Sequence, residues 1–147
     1  MNDFNRRTLL QAGLLLSAGL GGRQARACEF FAATLRVSHP WTRAAPQSAE
    51  YALVSMRFDD VTADDRLLSI STPVAEAAEL VVEGRPAPLP LDIPAGQTTV
   101  LGETGLQVRL LKLTQPLEMG RSYPMRLVFE KGGAINALLN IDYGRFS

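Results

Sequence analysis

Beyond residue 28 the chain is a series of short segments in which apolar and polar side chains alternate, broken by turn residues. Tyr123, Met125, Leu127 and Phe129 fall in one register of a two-residue period, with Arg126 and Glu130 in the other; Ile135, Ala137, Leu139 and Ile141 oppose Asn136, Asn140 and Asp142. Successive side chains of an extended strand point to opposite faces, so this is the pattern of strands buried on one side. The alternation predicts strands over 34–37, 51–58, 66–71, 78–82, 98–101, 107–113, 123–129 and 135–143. In the second of these, Tyr51, Leu53 and Ser55 oppose Ala52, Val54 and Met56.

Between the strands lie Gly84-Arg85-Pro86-Ala87-Pro88-Leu89-Pro90, Pro94-Ala95-Gly96 and Lys131-Gly132-Gly133. Proline lacks a backbone N–H and fixes φ, so the proline-dense stretch is expected to join neither a ladder nor a helix. About eight short strands without a helix predict an all-β Greek-key sandwich or barrel. The length of 147 residues suits one domain with its own core.

The first 27 residues read differently. Arg6-Arg7 precede an apolar run through Leu14, Leu15, Leu16 and Leu20, and Ala25-Arg26-Ala27 ends it. A charged start, an apolar middle and an A-x-A end describe an export signal, cleaved after Ala27, and the paired arginines fit the twin-arginine type. The apolar run, about 14 residues, falls short of the roughly 20 that a spanning helix needs, so no stable membrane span is expected after cleavage. The predicted organisation is therefore an export signal over 1–27 and one domain over 28–147, in the periplasm. The whole chain is formally neutral, and residues 28–147 hold 11 basic and 14 acidic side chains, net −3. Neither balance offers the basic footprint of a nucleic-acid binder.

Cys28 is the only cysteine, so no internal disulfide forms. It would be the first residue after cleavage, which leaves two readings open: a lipid attachment point, or a free thiol near the terminus. His39 is the only histidine. As a lone imidazole beside Trp41 it reads as a residue holding a turn or packing in the core, with a weak alternative as a metal ligand helped by Cys28 or Met56. Met125 alternates with core residues, Met119 sits in a turn and Met56 ends a strand, so the methionines show no metal spacing. One histidine and one near-terminal cysteine are poor material for nucleophilic catalysis, and no enzyme is expected. Asp59-Asp60 and Asp64-Asp65 flank a short segment that could offer oxygen ligands to a hard cation but reads better as a solvated turn. Gln107 and Arg109, two apart on a strand, share a face, where they either stand in solvent or contact an acidic ligand or partner.

The ordered set His39-Pro40-Trp41-Thr42-Arg43-Ala44, Asp65-Arg66-Leu67-Leu68, Pro73-Val74-Ala75, Ile93-Pro94-Ala95-Gly96, Gly105 to Leu113, Pro116-Leu117-Glu118-Met119-Gly120 and Leu127 to Gly133 resembles the PCu(A)C family of periplasmic copper chaperones, over about 35–143. The resemblance implies a cupredoxin-like β-sandwich, copper handling, and delivery to an exported metalloprotein partner. It also implies Cu(I) held by two His and two Met: a His after an acidic residue, a Met shortly behind it, and a His-x-Met pair on a later strand. Here those positions fall on Val81, on the Met-free stretch 85–91, and on Gln107 and Arg109. A guanidinium is always charged and only donates hydrogen bonds. Two unit charges about 4 Å apart oppose each other by roughly 1 to 4 kcal/mol depending on exposure, so the family's copper site is expected to be degenerate, and copper enters as a cofactor only through the resemblance.

Overall fold

The computed structural model describes residues 28–142; the leader with Arg6, Arg7 and Ala27, and residues 143–147, lie outside the described residues. Eleven strands follow in order: β1 Glu29–Phe31, β2 Arg36–Thr42, β3 Tyr51–Asp59, β4 Asp65–Ser71, β5 Ala75–Val82, β6 Arg85–Ala87, β7 Leu91–Ile93, β8 Thr99–Leu101, β9 Gln107–Leu113, β10 Ser122–Phe129 and β11 Gly133–Ile141. Among the described residues there is no helix. They hydrogen-bond along one path, β6-β5-β9-β3-β2-β11-β10-β4-β7, with β1 added to β2 and β8 to β3.

Strand β3 is where the sheet turns over. Its first half, Tyr51 to Val54, pairs with β9, whereas Met56 to Phe58 pair with β8. The curled sheet buries one face against itself. Leu80, Val108 and Val54 from one side join Leu67, Leu127 and Leu139 from the other in a single cluster. Phe58 and Phe129 meet edge to face there, with centroids 5.4 Å apart, the geometry that the ring quadrupoles favour. The alternation fixes which side chains reach this cluster: Tyr123, Met125, Leu127 and Phe129 are all buried, and Arg126 between them is exposed. The last strand lies parallel to β2 through Asn140↔Trp41 and Ile141↔Thr42, a long-range return consistent with a Greek key in an all-β, cupredoxin-like sandwich.

Three strands are absent from the sequence expectation: β1, β6 and β7. The proline-dense stretch does join a ladder, because Arg85–Ala87 pair with Leu80–Val82 and Pro86 stands opposite Val81. Strand β6 is the edge of the sheet, where a missing N–H costs no second ladder bond. The hairpin needs positive φ at both turn positions, and Glu83 (51°) with Gly84 (79°) supplies it. The first predicted strand is longer than its alternation suggests. A bulge at His39–Pro40, with His39 at φ 49°, interrupts the β2–β3 pairing between Ser38↔Arg57 and Trp41↔Ser55, and the strand resumes to Thr42.

Candidate functional site

Strand pairing brings the sequence-predicted positions together on the outer face. In the β5–β9 ladder Val81 stands opposite Gln107 and Glu79 opposite Arg109; in the β9–β3 ladder Arg109 faces Leu53, and Leu111 faces Tyr51. Directly opposed residues share a face. These side chains therefore lie opposite Leu80 and Val108, which enter the core.

Val81, Gln107, Arg109, Glu79, Leu53, Leu111 and Tyr51 include no imidazole, thioether or thiolate. Val81 has no donor atom and is 0% exposed. The Gln107 amide donates from Nε2 to the Glu103 carbonyl oxygen, tying β9 to the 102–106 loop. The Arg109 guanidinium carbon lies 4.5 Å from the Tyr51 ring centroid, and its Nη1 is 3.8 Å from Glu79 Oε1. Its Nε is buried with no hydrogen-bond acceptor among the described residues. A cation stacked on an aromatic face and leaning on one carboxylate occupies this face. The 85–91 stretch, where a Met is implied, forms the edge strand β6 and its exit, without a thioether. Tyr51 and Glu79 belong to the arrangement but carry no mark in the sequence; only the register, set by pairings 30 or more residues apart, places them beside Arg109.

Glu103 is a third contributor that the sequence did not single out. Its carboxylate accepts two bonds from Arg43, at 2.7 Å from Nε and 2.9 Å from Nη2, and Arg43 in turn lies over Trp41 at 5.6 Å. The Arg43 hydrogen bond holds the Glu103 carboxyl below its ordinary pKa, more than burial raises it. Trp41 is buried but stands apart from the core cluster. It faces a cleft of about 530 Å³ lined also by His39, Ser55, Arg57 and Thr104.

His39 occupies the β2 bulge, and its backbone N–H donates to the Cys28 carbonyl at 2.9 Å. It borders both that cleft and a smaller one of about 270 Å³ with Cys28, Asn140 and Asp142. Cys28 Sγ is 4.0 Å from Asn140 Nδ2. Met56 also borders the larger cleft, yet its alternation in β3 turns its side chain into the core, as it does for Met125 in β10. Among the described residues no three His, Cys, Asp or Glu side chains are placed to hold a metal ion.

The acidic pairs are structural rather than a cation loop. Asp59 accepts from Arg36 Nε at 2.6 Å and Ser38 Oγ at 3.1 Å. Asp64 accepts from the Ala95 N–H at 2.8 Å. Asp65 is buried and takes four donors: Thr34 Oγ1 at 2.6 Å, Lys131 N at 2.7 Å, and Arg66 N and Gly132 N at 2.8 Å each. Burial alone would push the Asp65 carboxyl up, but these four bonds together outweigh it and hold the group below its ordinary value. Burial likewise pushes the Asp59 carboxyl up, and the hydrogen bonds from Arg36 and Ser38 with the nearby Arg36 and Arg57 charges together outweigh it, leaving its pKa lowered.

Residues 35–141 match the family model described as "Putative lipoprotein LpqE-like". No curated protein matches the sequence. Solved structures do. An apo PCuAC domain from PmoF1 is 28% identical, over 78% of this chain and 98% of that one, with a TM-score of 0.70. A copper-bound PCuAC domain from PmoF2 is 21% identical, over 78% and 97%, with a TM-score of 0.71. The solution structure of CuI-DR1885 from Deinococcus radiodurans is 21% identical, over 85% and 87%, with a TM-score of 0.63. At 21% identity the last two establish likeness of fold alone.

Proposed function

The chain belongs to the LpqE-like family and to the wider group of PCuAC-type copper chaperones, and from that membership we propose that it is an exported, non-enzymatic protein of copper handling whose own Cu(I) site has degenerated. The observation that carries this is the donor set on the outer face of β5 and β9. Cu(I) prefers thioether, thiolate and imidazole ligands. Val81, Gln107 and Arg109 offer a hydrocarbon, an amide already bonded to Glu103, and a fixed cation. These residues do not fit the ion, and no step of copper transfer is routed through them.

In this reading residues 1–27 direct export and are removed after Ala27, and residues 28–147 act in the periplasm. The family description favours lipid attachment at Cys28 more than the sequence alone does. A mature-protein mass decides it: diacylglycerol on Cys28 supports an anchored form, and an unmodified Cys28 ends it. Among the described residues no helix is long and apolar enough to cross a membrane.

A second reading is favoured by the Arg109–Tyr51 stack: the fold persists as a metal-free module that docks an exported partner, such as a copper-delivery protein, or an acidic ligand. Restoring the donors separates the site placement from the rest. The triple variant Val81→His, Gln107→His, Arg109→Met should gain Cu(I) affinity at least about tenfold over the wild type in competition with a chelator, since imidazole and thioether suit Cu(I). No gain in a folded triple variant would show that Val81, Gln107 and Arg109 are not the ancestral ligand positions.

A further inference from the structure

The outer face of β5, β9 and β3 holds a cation whose hydrogen-bonding capacity is unfilled. A guanidinium carries five N–H groups in one plane. On Arg109, Nη1 is 3.8 Å from the Glu79 carboxylate, longer than a hydrogen bond, and Nε has no acceptor among the described residues although it is buried. Tyr51 stacks on the guanidinium at 4.5 Å, which steadies the charge through its face but gives the in-plane N–H groups no acceptor. The Gln107 amide already donates to Glu103, so the polar neighbour on the same strand is tied to the loop. Leu53 beside Arg109 and Leu111 two residues on are half-buried, and this apolar surround strengthens any charge pairing made between them.

We propose that Arg109, backed by Tyr51, is a receptor for a carboxylate group, which takes the Nε–Nη2 edge side-on while Glu79 keeps Nη1. The inference rests on the metal-free binding reading above and names its ligand chemistry. Side-on pairing places two parallel N–H···O bonds on one carboxylate, the geometry in which arginine is more selective than lysine. Because Nε is buried, side-on pairing requires the Tyr51 ring, 40% exposed, to slide along the guanidinium while keeping its stack. Glu79 tunes the site, because its charge opposes an incoming anion.

The test follows the Arg109 side-chain Nε–H resonance of the full-length protein by NMR. It is titrated with acetate, as a free carboxylate, or with an acetylated, amidated Asp-containing tripeptide, as a protein-borne one. Sodium chloride at matched ionic strength is the control. A saturable downfield shift with either carboxylate, absent with chloride, supports the proposal, and tighter binding of one arm identifies the source. Arg109→Lys keeps the charge but lacks the Nε–H, so it is followed, like the wild type in parallel, through the backbone amide shifts of β9, and it should weaken binding at least tenfold. Glu79→Gln should tighten it severalfold, and because it leaves Arg109 in place it guards against misfolding of the first variant. No saturable shift with either carboxylate, an equal shift with chloride, or unchanged binding in Arg109→Lys would overturn the proposal. Stoichiometric Cu(I) binding by the same preparation would instead contradict the degenerate-site reading, so the two failures are distinguishable.

Discussion

Replacing Asp65 by Asn tests a buried carboxylate that ties three segments of the fold together. The carboxylate joins the start of β4 to the β10–β11 turn and to Thr34 through four donors at 2.6 to 2.8 Å. An amide keeps one carbonyl oxygen, which can serve Arg66 N and Lys131 N in place of Oδ1. Its NH2 then faces the Thr34 hydroxyl, which can rotate to accept, and the Gly132 N–H, which cannot. One buried backbone donor is orphaned, at about 1–3 kcal/mol, and the remaining bonds lose their charge assistance, which roughly halves each. Together the substitution should cost about 2–4 kcal/mol, a large share of the roughly 5–15 kcal/mol that stabilises a domain.

The pH dependence has a fixed sign. The folded-state pKa of Asp65 is depressed, so the native state binds fewer protons than the unfolded state in this range. The contribution is complete above the unfolded value of about 3.9 and is lost as pH falls through the lower folded value. Urea unfolding followed by the single tryptophan, Trp41, measures both effects. With a slope of roughly 1–3 kcal/mol per molar, a cost of about 2–4 kcal/mol should bring the Asn variant's midpoint down by about 0.7–4 M at pH 7. The gap to wild type should narrow as the pH is taken toward 3. A pH 7 difference below about 0.5 kcal/mol, within the scatter of surface substitutions, would refute the account of this junction, and so would a gap that persists at low pH.

Further expectations follow from the same contacts. A Cβ at Gly132 would stand 2.8 Å from Thr34 Oγ1 and 3.1 Å from Asp65 Oδ2, so Gly132→Ala should cost about 1–3 kcal/mol, and less in a Thr34→Ala background; equal costs in both would show that the clash is not the cause. Glu103→Gln should loosen the Arg43 pairing beside Trp41 and raise acrylamide quenching of Trp41 at pH 7, with unchanged quenching as the contrary result. Because the Glu103 pKa is depressed, wild type should show the same rise only as pH falls below the ordinary Glu range, where the pairing is lost.

What the sequence revealed and what it concealed divide along a physical line. Strands with one buried face, β3, β10 and β11, announce themselves by alternation, because burial acts on every second residue. Edge strand β6 does not, since Pro86 reads as a breaker until the ladder on its other side is known to be missing. Val81, marked in the sequence only as the position of a family histidine, is buried on the face opposite the core cluster, beside Gln107. Spacing within β9 was enough to put Gln107 and Arg109 on one face. It could not show that Gln107 bonds to Glu103 while Arg109 stacks on Tyr51, because those partners are fixed by a loop and by a strand more than 50 residues away. Asp65 looked like part of a solvated turn, because its donors Lys131 and Gly132 are more than 60 residues downstream.

The claim that the fold persists without its copper ligands is tested most directly by titrating the full-length protein with Cu(I) under anaerobic conditions against a chromogenic chelator of known affinity. The chelator should fill as though no protein were present, for wild type and for His39→Ala alike. Retention of one equivalent of Cu(I) by the wild type would contradict the claim, and loss of that equivalent in His39→Ala would move the site to the Cys28–His39 cleft.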